Sequence, residues 1–386
     1  MYFITTFPDD FYFTWQLEIQ LLNFNQLGIP SQNIHVLIAY NAKVGLRHYF
    51  SDLIARQNDK ALFFAYPDVE EKRAYTPSVR PFLIYTHLAL HPFLMKEMLF
   101  YYDTDIIFRK LPDFDQFSGD DYCYVSDTRN YMDSNYIKKS GSSDLLEDMC
   151  KIVGVSPQVI EKNDPYVGGA QLVLKNTTCE FWRKVETDCN LLFALMNQYN
   201  HLEEDKAWLA ERKRRSQCHG IQAWTAEMWA ILWNIWLSGS ETRIHDALDF
   251  CWTTQDISNW ESKNILHYSG VVKEGDARHF RKADYLRYTP YYSNKLKAIS
   301  PSSCSYPLGQ LIGIFKADLD KHRYDLSNVT VVLALPEYIE EVFENLEIII
   351  RYIDKSFYTN LILRHSAAFS EGQFELLDKL IQKNII

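Results

Sequence analysis

The triplet Asp103-Thr104-Asp105 places two carboxylates one residue apart. Oxygen ligands of this kind bind hard divalent cations such as Mn²⁺ or Mg²⁺, and a cation bound there can bridge two phosphate groups. The pattern alone has little weight, because the chain contains two further triplets of the same form, Asp113-Phe114-Asp115 and Asp318-Leu319-Asp320.

Sequence context distinguishes the first triplet from the other two. The apolar run Met98–Tyr102 precedes it, and the apolar run Ile106–Phe108 follows it. We therefore expect Asp103 and Asp105 at the carboxyl end of a buried strand, where open α/β sheets bind their ligands. A solvated surface turn is the alternative interpretation.

A second polar motif, His267-Tyr268-Ser269-Gly270-Val271-Val272-Lys273, follows the short predicted strand Asn264–Leu266. An imidazole adds nitrogen to a carboxylate ligand set, which suits Mn²⁺ better than Mg²⁺. The glycine lets backbone approach a diphosphate, and the lysine can neutralise charge on a leaving group. Taken alone, a histidine between leucine and tyrosine is more often a hydrogen-bonded core residue.

Short apolar runs alternate with helical patterns over the first hundred residues, which is typical of βαβ units and a mostly parallel sheet. The fold class expected from this alternation is α/β, with a mixed, mostly parallel sheet flanked by helices. The predicted strands are Tyr2–Thr6, Ile34–Tyr40, Ala61–Ala65 and Met98–Tyr102, and the predicted helices are Trp15–Asn25, Arg47–Gln57 and Arg80–His91.

The middle of the chain is more polar. Residues 127–165 are expected to form an insertion or mobile loop with two short helical patterns. A strand at Tyr166–Lys175, a helix from Glu180 and an apolar helix at Glu227–Leu237 follow. The basic run Arg212–Arg215 could steer an anionic acceptor or contact a membrane surface, although a solvated helix face explains it more simply.

The domain organisation expected from the pattern is a main domain over residues 1–297, a linker over 298–327 and a βαβα segment over 328–386. The last segment has predicted strands at 329–335 and 360–364 and predicted helices at 337–353 and 372–383. It resembles half of a Rossmann-like layer, and it could serve oligomerisation or begin a truncated second domain.

Composition excludes several classes of protein. A formal net charge of -10 over 386 residues argues against nucleic-acid binding, which needs a basic face. Seven cysteines without metal-finger spacing fit reduced thiols, so a cytoplasmic location is expected, with neither a signal peptide nor a membrane span. Aromatic residues make up 15% of the chain and could line a sugar-binding cleft or simply fill the core.

Together, the strand with its Asp103-Thr104-Asp105 triplet and the downstream His-x-x-Gly-x-x-Lys motif resemble the retaining GT-A glycosyltransferases related to glycogenin and to bacterial lipopolysaccharide galactosyltransferases. The segments around Trp15-Gln16, Tyr102–Asp105 and Ala226–Trp229 are also similar to plant and algal peptidyl hydroxyproline and serine glycosyltransferases. The resemblance covers about residues 1–290, and it implies a GT-A fold.

The resemblance implies roles for individual residues. Asp103, Asp105 and His267 would hold Mn²⁺ or Mg²⁺. Arg80 would lie near the donor phosphate or sugar, or else it is a surface arginine that caps its own segment. The residues that would contact the donor are Thr5 and Thr6 at the nucleoside, Arg80, Thr104, Gly168, Gly169, Gly270, and Lys273 at the diphosphate.

Residues Gly168 and Gly169 resemble the small-residue strand that forms the floor of the sugar site, although they could instead mark a bulge or a turn. Gln171 in the same strand and Glu227 are the candidate catalytic residues. The family's acidic run carries a central glutamine that is absent around Thr225-Ala226-Glu227. Glu227 would orient the acceptor hydroxyl, or it stabilises a helix N-terminus.

The reaction implied is transfer of a sugar from a nucleotide-diphosphate donor, preferably a UDP-sugar, to a glycan, peptide or lipid-linked acceptor. Retention of anomeric configuration is expected, and inversion would follow if Glu227 acted as a base on the opposite face. Two alternatives remain at this point: a metal-dependent nucleotidyl- or phosphotransferase, and a non-catalytic scaffold that binds nucleotide sugars.

Overall fold

The computed structural model describes residues 1–70, 72–214, 217–218, 220–270, 272–321, 330–335 and 360–365. The chain forms two compact units. The first comprises Met1–Tyr288 with Ser300–Leu308, and the second comprises Thr289–Ile299 with Gly309–Ile386. All the candidate site residues belong to the first unit.

The first unit contains a seven-stranded sheet in the order β3-β2-β1-β4-β7-β6-β8. Only β7 among these seven strands runs opposite to the others, so the expected mixed, mostly parallel α/β sheet is confirmed. The strands are β1 Tyr2–Pro8, β2 Ile34–Asn41, β3 Leu62–Asp68, β4 Leu99–Tyr101, β5 Ile106–Phe108, β6 Cys123–Asp127, β7 Gly168–Leu174, β8 Thr242–Ile244, β9 Phe250–Trp252 and β10 Ile265–His267.

Strands β5, β10 and β9 form a second, three-stranded sheet. The triplet Asp103-Thr104-Asp105 connects β4 in the large sheet to β5 in the small one. Strand β10 is antiparallel to β5, and their register pairs His267 with Ile106. This register brings His267 beside the residue that follows Asp105, although 160 or so positions separate them along the chain.

Helices cover both faces of the large sheet, because successive side chains of its strands point to opposite sides. In β1, for example, Phe3 packs in one apolar cluster with Phe24, while Ile4 packs in the other with Leu83. The helices of the first unit are α1 Tyr12–Gln26, α2 His48–Gln57, α3 Val79–Leu90, α4 Arg129–Met132, α5 Ser134–Ser140, α6 Ser143–Val153, α7 Pro157–Asn163, α8 Cys179–Glu211, α9 Ala226–Leu237 and α10 Ile257–Ser262.

Two parts of the chain are more helical than the sequence indicated. The expected insertion over 127–165 contains the four short helices α4 to α7 rather than two. Helix α8 continues through the charged stretch to Glu211 and ends at Arg212, which has a φ of 54°. Glu, Lys and Ala are strong helix formers, so this stretch extends a helix that the apolar pattern alone would have ended earlier.

The expected linker over 298–327 contains a helix, α11 Ser305–Lys321. Leu308, Ile312 and Phe315 recur at helical spacing in it and are buried. Beyond α11, strands β11 Thr330–Leu335 and β12 Asn360–His365 pair in parallel, as the predicted βαβα segment requires. The two helices predicted there, 337–353 and 372–383, lie outside the described residues.

Two further observations concern the described residues alone. All seven cysteines are free thiols. None of the helices described has the length and apolar character that crossing a membrane requires.

Candidate metal and donor site

Helix α1 fixes the backbone on which the two aspartates lie. Three buried polar residues of α1, at helical spacing of four and three, face this segment instead of apolar core. Gln20 Nε2 donates to the Asp103 carbonyl at 3.0 Å, and Asn23 Nδ2 donates to the Phe108 carbonyl at 2.9 Å. Gln16 lies 3.5 Å from the Thr104 hydroxyl. Side-chain hydrogen bonds from α1 therefore fix the position of the triplet.

The three predicted metal ligands converge. Their nearest ligand atoms all lie within 4.8 Å of one another. His267 Nε2 is 3.6 Å from Asp103 Oδ2 and 3.3 Å from Asp105 Oδ1. The Tyr268 backbone N–H donates to the Asp105 carbonyl at 2.9 Å, which ties the histidine strand to the triplet.

The remaining oxygen of each aspartate binds a cation. Arg80 Nη2 lies 2.7 Å from Asp103 Oδ1, and Lys282 Nζ pairs with Asp105 Oδ2. Each carboxylate is thus held on one side by a positive side chain and turns its other oxygen toward His267. Two oxygens and one imidazole nitrogen form the mixed set that suits Mn²⁺, so these residues fit a divalent cation.

Electrostatics keep the buried ligand ionised. Burial alone would raise the pKa of Asp105, but the charges of Lys282 and His267 outweigh it and hold that pKa well below its usual value. The His267 ring stacks on Trp252 with centroids 5.1 Å apart. Its Nδ1 is buried with no hydrogen-bond partner among the described residues, so Nε2 is the nitrogen directed at the carboxylates.

A cleft of about 480 Å³ has Phe250 and Trp252 in its wall, the two rings that contact His267. The three predicted metal ligands do not line it. The cations in this wall are already paired: Arg129 lies 2.6 Å from Asp127, and Lys263 lies 3.1 Å from Asp249. Paired charges and aromatic rings suit a hydroxyl-rich ligand better than a strongly anionic one. The full lining is Asp127, Arg129, Asn130, Tyr131, Ile244, His245, Asp246, Asp249, Phe250, Trp252, Gln255 and Lys263.

Glu227 is connected to the metal ligands through Arg80, whose Nη1 lies 3.0 Å from Glu227 Oε2. The other carboxylate oxygen accepts a hydrogen bond from the Tyr101 hydroxyl. Burial raises the pKa of Glu227, and the Arg80 charge opposes this. Arg80 is thus not a surface cap: its side chain is 19% exposed, and it stacks over the Tyr101 ring.

The strand with Gly168 and Gly169 contains a β-bulge, one of the two alternatives considered for these glycines. Strand β6 pairs Ser126 with Gly169 and the preceding Val125 with Leu172, so two residues of β7 have no partner. One of them is Gln171, whose side chain and main chain both lie within hydrogen-bond distance of Ser126 Oγ. Gln171 is completely buried and does not contact the metal ligands through any described hydrogen bond.

The other residues predicted to contact the donor are Thr5, Thr6, Thr104 and Gly270. Thr5 and Thr6 do not end the first strand, which continues to Pro8, and both are buried. Thr104, the middle residue of the triplet, is buried as well. A Cβ added at Gly270 would meet no atom within 4 Å, so space within the protein does not require glycine there.

Lys273 is exposed to solvent, whereas Lys282 is the lysine that reaches the cluster. Sequence reasoning missed Lys282 because no local pattern marks it. Arg80, in contrast, was identified, but its bridge between Asp103 and Glu227 depends on the packing of α3 against the sheet. Of the α1 polar residues, only Gln16 lies in a segment that the resemblance singled out.

No family model matches the sequence, and no curated protein matches it. The fold is similar to three solved structures. Bifunctional WbbM has 8% identity and a TM-score of 0.41, with 84% of this chain and 51% of WbbM covered, so the chain spans about half of that protein. The galactosyltransferase LgtC, solved with donor and acceptor sugar analogs, has 10% identity and a TM-score of 0.39, with 81% and 96% covered. The glycosyltransferase GlyE of Streptococcus pneumoniae TIGR4 has 9% identity and a TM-score of 0.36, with 98% and 88% covered. Each of these three proteins is described as a glycosyltransferase.

Proposed function

We propose that this chain is a metal-dependent glycosyltransferase that moves a sugar from a nucleotide-diphosphate donor, a UDP-sugar, to a hydroxyl of a glycan, peptide or lipid-linked acceptor. One observation carries the proposal. Asp103 Oδ2, Asp105 Oδ1 and His267 Nε2 converge just after the carboxyl end of β4, and the His267 ring contacts Trp252, a wall residue of the cleft.

A divalent cation held by these three residues would neutralise charge on the departing diphosphate. The protein's own contribution is to preorganise that site. Arg80 and Lys282 fix the two carboxylates, α1 fixes their backbone, and Trp252 orients the imidazole. Fixed charges of this kind stabilise a transition state without reorganising during the reaction.

Retention of anomeric configuration is part of the proposal. Inversion needs a free carboxylate to act as a base on the face opposite the leaving group. Both Glu227 oxygens are already engaged, one by Arg80 and one by Tyr101, which leaves this carboxylate poorly placed to accept a proton. We propose that Glu227 orients Arg80 and Asp103 instead, with the acceptor hydroxyl arriving on the leaving-group face.

A panel of nucleotide sugars with Mn²⁺ tests the function by measuring release of nucleoside diphosphate. Wild type should turn over one UDP-sugar, and the variants Asp105→Ala and His267→Ala should lose that turnover. Asp115→Ala is a matched control, because Asp115 lies in another Asp-x-Asp triplet and is exposed. It should keep wild-type activity.

Product analysis separates the competing functions. A sugar attached to the acceptor, identified with its anomeric configuration by NMR, supports the proposal. A nucleotidyl- or phosphotransferase would transfer a phosphorus-containing group instead, and a scaffold would bind the donor without metal-dependent turnover. Either of those results would contradict the proposed function.

A further inference from the structure

Lys273 and Lys282 are the two candidates for the lysine that neutralises the charge of the donor diphosphate. The sequence pattern assigns charge neutralisation at the diphosphate to Lys273, six residues after His267. In the structure Lys273 is exposed, whereas the Lys282 side chain is only 18% exposed and pairs with Asp105. The two positions are nine residues apart, so each can be tested without disturbing the other.

We propose that Lys282, and not Lys273, supplies the ammonium group that binds the donor diphosphate. The inference rests on the proposed function, since it names the residue that would recognise the phosphates of the same donor. It assigns to Lys282 a role that no sequence motif gives it.

The position of the ammonium group supports this role. Lys282 Nζ contacts Asp105 Oδ2, while Asp105 Oδ1 faces His267. The ammonium therefore lies on the flank of the ligand set, 5.8 Å from the centre of the Tyr12 ring. A lysine has three donors, so the pair with Asp105 leaves donors for phosphate oxygens.

The surrounding segment does not need Lys282 as an anchor. Trp15 Nε1 donates to the Tyr285 carbonyl at 3.1 Å, and the Phe280 ring stacks on Tyr285 at 5.3 Å. The Phe280 backbone N–H also donates to Ser305 Oγ at 2.8 Å. Apolar packing and these bonds hold the segment in place, so Lys282 is not needed to anchor it.

Charge balance favours an anion at this place once a divalent cation is bound. Asp103, Asp105 and Glu227 face only two cations, Arg80 and Lys282. These five side chains together carry one net negative charge. A divalent cation would convert this to one net positive charge, which a diphosphate beside Lys282 offsets.

The test compares Lys282→Met with the matched variant Lys273→Met by calorimetric titration with UDP and with uridine, in Mn²⁺. Lys282→Met should weaken UDP binding at least tenfold and leave uridine binding unchanged, because uridine lacks the diphosphate. Lys273→Met should bind both ligands within twofold of wild type. Lys282→Arg keeps the charge and should retain most of the UDP affinity.

Three outcomes would overturn the inference. Loss of UDP affinity in Lys273→Met but not in Lys282→Met would return the role to Lys273. Equal losses in Lys282→Met and Lys282→Arg, a parallel loss of uridine binding, or weaker Mn²⁺ binding by Lys282→Met without nucleotide would show that Lys282 only positions Asp105 or the fold. A wild-type protein that binds none of UDP, ADP and GDP would overturn the proposed function as well, which distinguishes the two failures.

Discussion

Arg80 joins two of the three carboxylates around the proposed site. It bridges Asp103 and Glu227, and the Glu227 side chain is only 4% exposed. Removing one partner of a buried ion pair leaves an uncompensated charge and costs about 3–5 kcal/mol. Loss of Arg80 alone is therefore expected to destabilise the fold, because it leaves Glu227 buried without its counter-charge.

We predict that Arg80→Met lowers the free energy of unfolding by about 3–5 kcal/mol, because Glu227 loses its counter-charge. Urea unfolding followed by tryptophan fluorescence measures the loss. Adding Glu227→Gln to Arg80→Met should recover part of it. The control Lys151→Ala breaks an exposed pair with Asp148, which solvent screens, so it should leave the free energy of unfolding close to that of wild type. Similar losses in Arg80→Met and the control would contradict the prediction.

At this scale, the sequence identified the residues whose types and spacing are local. Asp103, Asp105 and His267 were found because apolar runs flank the triplet and a strand precedes the histidine. Lys282 was not found, because its partner lies 177 residues away and its burial follows from packing. Spacing predicts which residues share a segment, whereas contacts between distant segments depend on the assembled fold.

At the scale of elements, the bulge in β7 determines how β6 and β7 fit together. Ala170 has a φ of 63°, a left-handed conformation that costs a non-glycine residue about 1–2 kcal/mol. Ser126 Oγ lies 2.8 Å from Gln171 Oε1 and supports this conformation. Strained backbone of this kind persists where the surrounding contacts enforce it.

The two glycines before the bulge should differ in their tolerance of a side chain. A Cβ at Gly168 would lie 2.3 Å from the Ser126 carbonyl oxygen, whereas at Gly169 the nearest atom is Met228 Cε at 2.6 Å. Backbone cannot move aside as the end of a methionine can. We predict that Gly168→Ala lowers stability by about 1–3 kcal/mol and Gly169→Ala by less than about 1 kcal/mol, measured by urea unfolding. The opposite ranking would be inconsistent with the bulge geometry.

The sequence predicted strands and helices accurately where apolar residues recur periodically. It predicted helices poorly where the sequence is charged or rich in serine and proline. Strands β1 to β4 and helices α1 to α3 match their predicted positions to within a few residues. The extent of α8 and the presence of α11 were missed, because charged or serine- and proline-rich sequences carry little periodic signal. Those segments become helical through propensity and tertiary packing, which a period alone does not reveal.

At the scale of the whole first unit, a buried histidine network joins three elements away from the proposed metal site. His35 in β2 lies 2.8 Å from His87 in α3, and the Tyr66 hydroxyl in β3 lies 2.7 Å from the other His87 nitrogen. Burial, together with the charge of His91, lowers the pKa of His35 to about 4. Burial and the two other histidines lower the pKa of His87 to about 3.

These shifts make the stability of the unit depend on pH. Histidines of the unfolded chain take up protons near pH 6.5, while His35 and His87 stay neutral in the folded protein. The unfolded state therefore binds more protons below pH 6.5, so stability falls as the pH falls. We predict a loss of about 2 kcal/mol for each histidine between pH 7.5 and pH 5.

Urea unfolding at several pH values between 7.5 and 5 measures this slope. All nine tryptophans lie within residues 1–288, so their fluorescence reports on the first unit. The double variant His35→Gln with His87→Gln should have a flatter slope, while the exposed-site control His201→Gln should keep the wild-type slope. The raised pKa of Glu227 acts in the opposite direction, but it is common to all these proteins and cancels between them. Parallel slopes for wild type and the double variant would show that acid sensitivity arises elsewhere in the unit.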